Sequence, residues 1–487
     1  MLIKTDQDII KAYFEDYSNL KGGHATEVVY PQTGEELSEF MRQMARKKVP
    51  VTISGGGTGT TGGRIPFGGV ALSMEKFNTI LRISKDEMSA TVQAGVPVED
   101  LKNAAEEHGL FYTCHPTERS AFVGGTVSTN ASGARSYRYG ATRRFVRAIT
   151  MVLSGGQVLK VRRGERLVSR ADHVVRLSDG SAIDIPLPSY AIPQVKNASG
   201  YCAYDGMDLI DLFVGQEGTL SVMTEVEIAL VKRPERIYGL FVFFKQEEEA
   251  WRFASDVRSH KERPILSIEY FDRTALDIVS KKERAIPAGV EAALYVEQEL
   301  SLKDADEALS WWESFLSHHG VSDDHAWVGT TDGQIERFND MRHAIPEGLN
   351  EIFVKSGYQK VSVDISVPEK AFLEMMRFYT SSCRAKKIPF VVFGHIGECH
   401  VHVNIMPRSD EELAVARDLC LLFVRRGLLL GGTVSAEHGI GKIKHRYLEE
   451  MHGHKGMVEM AKIKKACDPA CILGLDNIFP KELLRGL

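Results

Sequence analysis

The sequence has few cysteines and no long apolar run, and each absence excludes a class of protein. Its 7 cysteines lie singly, without a CxxC pair, which argues against a disulfide-stapled scaffold and against an iron–sulfur module. No segment approaches the roughly 20 apolar residues of a membrane-spanning helix. Residues 1–17 are rich in acidic side chains and resemble neither a secretory signal nor a mitochondrial presequence. We therefore expect a cytoplasmic protein whose thiols are reduced. The protein is expected either to be free in the cytoplasm or to bind peripherally to the inner face of the membrane.

A strong excess of one charge is also absent. The formal net charge is -5 over 487 residues, which gives no electrostatic reason to expect nucleic acid or an anionic membrane as the main partner. Hydrophobic residues make up 43% and charged residues 26% of the chain, as in globular proteins with packed cores. The length predicts two or three domains.

Helix and strand patterns divide the chain near Pro234. Before it, residues 37–44 repeat at helical spacing, residues 97–109 predict a second helix, and short apolar segments predict strands, as in a mixed α+β region. After it, six predicted elements alternate as strand, helix, strand, strand, helix, strand: residues 238–244, 246–260, 265–271, 292–300, 304–319 and 326–330. This order is the signature of a ferredoxin-like unit.

The glycine-rich segment at residues 54–63 holds six glycines in ten residues. Such density lets backbone amides approach a phosphate closely. Residues 57–62 match G-x-G-x-x-G, but residues 64–69 predict no helix, which the dinucleotide fold requires, and no Gly-Lys-Ser/Thr follows as in a P-loop. Taken alone, the segment fits a flexible hairpin as well as an anion-binding loop. Residues 122–133 form a second segment of small residues. Together, the two segments favour the cofactor-binding interpretation, in which two backbone-accessible loops close on the two ends of a long phosphate-bearing cofactor.

These segments resemble, in order, the FAD domain of the vanillyl-alcohol oxidase family. The resemblance rests on residues 54–63, 69–74, 78, 80, 94–96, 124–133 and 214–220. Within that family, the sequence is similar to the branch that contains D-lactate dehydrogenase, the glycolate oxidase FAD subunit and D-2-hydroxyglutarate dehydrogenase. The resemblance implies an α+β protein: a two-part PCMH-type FAD-binding domain (1–233), a ferredoxin-like substrate (cap) domain (234–435) and a C-terminal helical segment (436–487) that returns to the flavin and completes the active site.

The resemblance also implies which residues hold FAD. Residues 55–59 would wrap the pyrophosphate, and the others would line the rest of the FAD site. The implied set is Gly55, Gly56, Gly57, Thr58, Gly59, Pro116, Thr117, Gly124, Gly125, Thr129, Ser132, Gly133 and Asn477. Some relatives tether the flavin through a histidine in the first loop, where this chain has none. Noncovalent FAD is therefore expected.

Histidines and a glutamate cluster in two later motifs. In residues 394–404, the alternation of His400 and His402 predicts that both point to one face of a strand. In residues 435–441, glycines are expected to keep the backbone near Glu437 and His438 open. Histidines and a carboxylate permit a divalent metal such as zinc, although histidines beside glycines also cap turns or satisfy buried backbone groups.

The resemblance assigns roles within these motifs. It implies that His395, His402 and Glu437 bind a divalent metal, with zinc as the expected ion, and that His438 is the acid/base. Residues 398–400 are Glu-Cys-His where Asp-Gly-Asn is common, so Cys399 adds a soft donor nearby and His400 is a candidate alternate ligand.

Two cations complete the implied catalytic set. Arg342 matches an arginine that binds the substrate carboxylate, with a surface salt bridge as the competing explanation. Relatives often carry a lysine where this chain has Ser362. Lys360 lies two residues further back on the same strand face.

The implied reaction is oxidation of a D-2-hydroxy acid, such as D-lactate or a glycolate-like substrate, to the 2-oxo acid. His438 would take the hydroxyl proton of the metal-bound substrate, and hydride would pass to the flavin.

The expected electron acceptor is an electron-transfer protein, a quinone or an iron–sulfur partner subunit, and a homodimer is left open. The alternatives are a D-2-hydroxyglutarate dehydrogenase, a non-redox flavin-dependent ether-lipid synthase of the same fold, and a flavin-free zinc hydrolase. No H-E-x-x-H motif supports the hydrolase.

Overall fold

The computed structural model describes residues 1–114, 116–281, 283, 286–301, 303–358 and 360–487. The chain forms two compact units. Unit 1 comprises Met1–Ser132, Ala141–Lys232 and Ser435–Leu487, and unit 2 comprises Gly133–Gly140 and Arg233–Val434. A short piece from the first half of the sequence therefore belongs to the same unit as the ferredoxin-like region.

Strands and helices alternate along both units. The strands are β1 (Leu2–Lys4), β2 (Glu27–Tyr30), β3 (Val51–Ser54), β4 (Val70–Ser73), β5 (Ile80–Ser84), β6 (Ser89–Gln93), β7 (Leu110–Phe111), β8 (Val146–Val152), β9 (Val158–Arg162), β10 (Leu167–Val168), β11 (Val174–Arg176), β12 (Ala182–Asp184), β13 (Met207–Asp208), β14 (Val222–Ala229), β15 (Val231–Lys232), β16 (Arg236–Phe244), β17 (Ile265–Asp272), β18 (Ala292–Leu300), β19 (Ala326–Gly329), β20 (Val361–Ser366), β21 (Phe390–Gly394) and β22 (His400–Ile405). The helices are α1 (Gln7–Ile10), α2 (Gly34–Lys47), α3 (Val98–Glu107), α4 (Val123–Ser128), α5 (Ser136–Tyr139), α6 (Leu209–Phe213), α7 (Glu247–Ser259), α8 (Arg273–Val279), α9 (Ala305–His318), α10 (Asp332–Ser356), α11 (Glu369–Lys386), α12 (Asp410–Leu429) and α13 (His445–Cys467).

Unit 1 contains two principal sheets. The first has the order β1-β2-β4-β3, with β2, β4 and β3 parallel and β1 antiparallel at its edge. The second is antiparallel, in the order β5-β6-β14-β8-β9. The predicted helix at residues 37–44 is confirmed as part of α2. Thr33 caps its amino end, and its apolar stripe, Leu37, Phe40, Met41 and Met44, is buried.

The two glycine-rich segments differ in structure. Residues 55–69, all of them described, contain no helix and lead directly into β4, which confirms the rejection of a dinucleotide fold. The second segment was expected to be a loop, and this prediction is wrong for its first half, which forms α4. Gly124 permits that helix to pack closely, because a Cβ there would lie 2.6 Å from the Cβ of Ala94. The small residues serve close packing as well as backbone access.

The end of α13 is held by a buried ion pair. Lys464 donates from Nζ to Asp468 at 2.7 Å and to the carbonyls of Thr219 and Leu473 at 2.8 and 2.7 Å. The Lys464 and Asp468 side chains are 1% and 0% exposed. The C-terminal segment is therefore fixed inside unit 1 by groups that water does not reach.

Replacing Lys464 with methionine should lower the free energy of unfolding by about 3–5 kcal/mol, because it leaves the Asp468 carboxylate buried without its cation. Denaturant unfolding measures the change. Lys462→Met is the matched control, because Lys462 is exposed on the same helix, and its effect should stay within about 0.5 kcal/mol. Equal stability of the two variants would contradict this role of Lys464.

Unit 2 is built on one antiparallel sheet in the order β19-β16-β18-β17-β21-β22-β20. The predicted ferredoxin-like order is confirmed by β16-α7-β17-β18-α9-β19. The segment β20-α11-β21-β22-α12 repeats most of this order, and the two halves join where β17 pairs with β21. Helix α10 packs its apolar residues on the aromatic core of one sheet face, which includes Phe241, Phe271 and Tyr295.

Membrane-spanning helices and disulfides are the two features that the sequence argues against. Among the helices of the described residues, none is both long and apolar enough to cross a bilayer. No disulfide joins the cysteines, all of which are described.

Candidate active site

The loop after β3 in unit 1 presents its backbone as a set of donors. In the part of the chain that the structure describes, no protein group accepts a hydrogen bond from the backbone N–H groups of residues 55–59. At Gly57, φ is +80° and a Cβ would lie 2.0 Å from the Arg64 guanidinium. The positive φ and the nearby guanidinium therefore leave room only for glycine at this position. Such a run of amides can receive an anion, as a pyrophosphate site requires.

The second small-residue segment lies against this loop. A Cβ on Gly56 would lie 2.5 Å from the carbonyl oxygen of Ser120, and Gly55 faces the Phe122 ring. Ser132 is buried, and its hydroxyl has no hydrogen-bond partner among the described residues. Unpartnered amides and a buried hydroxyl without a protein partner can donate hydrogen bonds to a polar cofactor, so these residues fit FAD.

The other residues expected to line FAD surround these segments. Pro116 and Thr117 are half-buried ahead of α4, and Gly125 lies in its first turn. Thr129 ends α4 and donates from its hydroxyl to the Gly125 carbonyl at 3.1 Å. Their contacts with FAD stay predictions, as does that of Gly133.

Asn477 holds the glycine loop. Its Nδ2 donates to the carbonyls of Gly63 at 2.9 Å and Glu217 at 2.8 Å, while its Oδ1 accepts from Lys442. These contacts give the side chain a structural role in shaping the loop. Direct contact with the flavin stays a prediction.

Glu437 and His438 also lie in unit 1. The Glu437 carboxylate accepts a hydrogen bond from Lys196 Nζ at 2.8 Å, and both side chains are less than a tenth exposed. Nε2 of His438 lies 3.7 Å from Glu437 Oε1, and the His438 side chain is 30% exposed. A buried, charge-paired carboxylate therefore stands beside an imidazole that solvent reaches.

The expectation that glycines leave this backbone open is wrong. A Cβ on Gly439 would lie 2.8 Å from the Glu217 carboxylate, and one on Gly441 would lie 2.1 Å from the Thr61 carbonyl. Glu217 accepts from the backbone N–H groups of Ile440 and Gly441. Burial raises its pKa to about 7, although these donors oppose the shift. Tight packing fixes this segment.

In unit 2, the sheet register places a glutamate opposite the first predicted metal ligand. Tyr270 on β17 pairs with Gly394 on the antiparallel strand β21. The register therefore places Glu269, the residue before Tyr270, beside His395, the residue after Gly394. His395 Nδ1 lies 2.8 Å from Glu269 Oε1. Arg342 on α10 reaches the same carboxylate, with Nη1 3.8 Å from Oε2.

Arg342 lies inside the unit. Its side chain is 13% exposed, so the salt bridge that it forms with Glu269 does not lie on the surface. Its Nε atom is buried and has no hydrogen-bond partner among the described residues. A mostly buried guanidinium with an unsatisfied Nε donor is suited to a carboxylate ligand.

The histidines of β22 share one face of the sheet, as predicted. His400 Nε2 lies 2.6 Å from Asp364 Oδ1, and Asp364 pairs in register with His402. These three side chains offer donor atoms within 4.8 Å of one another. The alternate ligand His400 thus has a carboxylate beside it. Lys360 is half-buried immediately before β20, and its role stays a prediction.

His395 and His402 fit a metal by their donor chemistry. Their ring centroids are 5.4 Å apart, and both side chains are less than a tenth exposed. Gly394 makes room for His402, because a Cβ there would lie 2.8 Å from the imidazole. The contact with Glu269 occupies Nδ1 of His395, so a metal would take Nε2.

Sequence reasoning missed Glu269 and Lys196. Glu269 was visible as an anomaly, because it is the acidic residue within an otherwise apolar predicted strand. A buried charge in a strand needs a partner, and that need is a signal of function. Lys196 lies in an irregular segment between β12 and β13, where no periodicity marks it.

Comparison with known proteins identifies the family. Residues 25–162 match the FAD binding domain family, and residues 233–475 match the C-terminal domain of FAD linked oxidases. D-lactate dehydrogenase of Archaeoglobus fulgidus is 31% identical over 462 residues, covering 93% of this chain and 91% of that protein. The chain belongs to the FAD-linked oxidase family. This FAD-linked oxidase is thus an oxidoreductase that binds FAD, and the predicted family is confirmed.

Two further comparisons agree. Glycolate oxidase subunit GlcD of Bacillus subtilis is 27% identical over 462 residues, covering 93% of this FAD-linked oxidase and 89% of that subunit. The solved structure of 4-ethylphenol oxidase from Gulosibacter chungangensis has a TM-score of 0.71 at 16% identity, covering 99% and 95% of the two chains. This likeness concerns the fold alone. The predicted PCMH-type α+β fold is confirmed.

Proposed function

We propose that this FAD-linked oxidase oxidises a D-2-hydroxy acid of the D-lactate or glycolate type to the 2-oxo acid. Relatives that align over most of the chain carry the names D-lactate dehydrogenase and glycolate oxidase subunit. The observation that carries the proposal is the buried Arg342 guanidinium with an unsatisfied Nε, held on the same glutamate as His395. A cation for the carboxylate and a histidine for the metal on one glutamate support a substrate that carries both a carboxylate and a hydroxyl.

Arg342 binds the substrate carboxylate in this proposal. A guanidinium offers a planar fork of donors that matches the two carboxylate oxygens. Its burial excludes most competing water, which strengthens the ion pair. Lys360 is proposed as a second cation for the substrate.

His395 and His402 are proposed as metal ligands, with Glu437 as the carboxylate ligand. Zinc accepts imidazole nitrogen and carboxylate oxygen, and it would supply Lewis acidity toward the substrate hydroxyl. The buried rings of His395 and His402 support this assignment. His400, paired with Asp364, is the alternate ligand.

His438 is proposed as the base that takes the hydroxyl proton. Histidine exchanges protons near neutral pH, and partial exposure lets His438 pass the proton to solvent. The flavin, when bound, supplies a hydride acceptor. The proposed route for the electrons onward is an electron-transfer protein, a quinone or an iron–sulfur partner subunit.

The test is a screen of D-lactate, glycolate and D-2-hydroxyglutarate with an artificial acceptor dye, using L-lactate and L-2-hydroxyglutarate as controls for the two chiral substrates. The purified protein should be yellow, and it should reduce the dye with D-isomers in preference to L-isomers. Preference for D-2-hydroxyglutarate would favour the first alternative. A yellow protein without dye reduction would favour the non-redox synthase, and a colourless protein that cannot be reconstituted with FAD would contradict the assignment.

A further inference from the structure

Glu269 is a buried acid in the middle of a strand. Every residue of β17 is buried, and the Glu269 side chain is 2% exposed. An ionised carboxylate in such a place costs several kcal/mol unless it is paired and hydrogen-bonded. Its position therefore requires a structural or functional reason.

Each carboxylate oxygen of Glu269 faces a different predicted functional group. Oε1 lies 2.8 Å from His395 Nδ1, and Oε2 lies 3.8 Å from Arg342 Nη1. A carboxylate on one ring nitrogen of a histidine keeps a proton there and leaves the other nitrogen as the ligating atom. At 3.8 Å the contact with Arg342 is an ion pair, in which the carboxylate attracts the guanidinium by charge.

The neighbouring buried glutamate does not share this arrangement. Glu297 on β18 is held by a two-point contact with Arg135, at 2.7 and 3.1 Å, and by Tyr295 at 2.9 Å. Burial opposes its ionisation, but the charge and hydrogen bonds of Arg135 outweigh burial and lower its pKa to about 2. Arg135 is thus the main partner of Glu297, and Arg342 lowers the same pKa further through its charge. Glu269 differs because it contacts His395.

We propose that Glu269 is a positioning residue that couples metal binding at His395 to carboxylate binding at Arg342. It fixes the nitrogen with which His395 binds metal and holds the Arg342 fork in place through the opposite oxygen. This role rests on the proposed function. One substitution at Glu269 should therefore disturb two properties that separate substitutions of His395 and Arg342 would disturb one at a time.

Two substitutions separate the contacts. Glu269→Ala removes both and should weaken zinc affinity roughly 10- to 100-fold, the usual effect of losing a partner of a metal-bound histidine. Glu269→Gln retains a carbonyl acceptor for His395 but turns a neutral amide toward Arg342. It should keep zinc affinity within about tenfold of wild type while raising KM for the hydroxy acid more than it lowers kcat.

Asp272→Asn is the matched control on the same strand. Asp272 accepts from the backbone N–H groups of Ala275 and Val392 at 2.8 and 2.7 Å. Burial raises its pKa to about 8, although those hydrogen bonds oppose the shift. In the asparagine variant the amide oxygen still accepts from Ala275 and the bond from Val392 is lost, so the variant controls for the loss of a buried acid that is not the partner of His395 or Arg342. Zinc affinity and KM should match wild type.

Zinc affinity is measured on the purified flavoprotein by competition with a chromophoric chelator, and KM by dye reduction. Wild-type affinity in a folded Glu269→Ala variant would overturn the role of Glu269 while leaving the proposed function intact. Wild-type protein that binds no zinc would overturn the metal assignment and this role with it. If Glu269→Ala does not fold, an unchanged KM in Glu269→Gln overturns the coupling.

Discussion

Replacing His438 with alanine should leave the flavin bound and lower kcat by about 10²- to 10⁴-fold, the usual contribution of a positioned base. The side chain is partly exposed and stands beside the Glu437 carboxylate, which Lys196 holds in place. Removing the imidazole therefore takes away the proton acceptor without leaving a buried charge unpaired. The measurement is steady-state dye reduction together with the visible flavin spectrum.

The control for this result is His454→Ala. His454 lies on α13 in the same unit, and its side chain is 71% exposed. Its removal should change neither kcat nor flavin content. Loss of flavin from the His438 variant would point to a structural role, and full turnover would assign the proton transfer to another group.

The proposed metal site predicts that chelation lowers turnover at least about 10³-fold, because Lewis acidity toward the hydroxyl would contribute several kcal/mol to transition-state stabilisation. The reason lies in the donor set, in which His395 is fixed by Glu269 and His402 is buried against Gly394. Dialysis against a chelator, followed by metal analysis and dye reduction, measures the loss. Added zinc should restore the rate.

Flavin reduction by dithionite is the control for chelation, because it does not need the hydroxy acid. It should proceed equally before and after treatment. Full activity in protein that metal analysis finds empty would contradict the Lewis-acid role. Recovery with another divalent ion and not with zinc would retain the role and correct the identity of the ion.

Local features of this protein could be predicted where the pattern lies within one element. Helix α2 follows from its apolar spacing and its cap, and the six ferredoxin-like elements follow from alternation and length. The glycine loop could be separated from a dinucleotide fold because a helix signal is missing after it. Short-range sequence determines such features, so one segment suffices to recognise them.

The residues that hold the site in place depend on long-range contacts. Glu269 and His395 are 126 positions apart and meet through the register of β17 with β21. Lys196 and Glu437 are 241 positions apart. The short helix α4 was missed because its glycines and hydroxyl residues have low helix propensity, which tertiary packing overrides.

The membership of Gly133–Gly140 in unit 2 limits how this protein can be divided. The continuous stretch Arg233–Val434 looks like an excisable module, but it lacks Arg135. Without that arginine, the buried Glu297 carboxylate would lose its main cation, at a cost of about 3–5 kcal/mol. A fragment that begins at Arg233 should therefore be less stable than one that also carries the eight-residue piece. Gene fusions or domain swaps between relatives must respect a boundary that the linear sequence does not reveal.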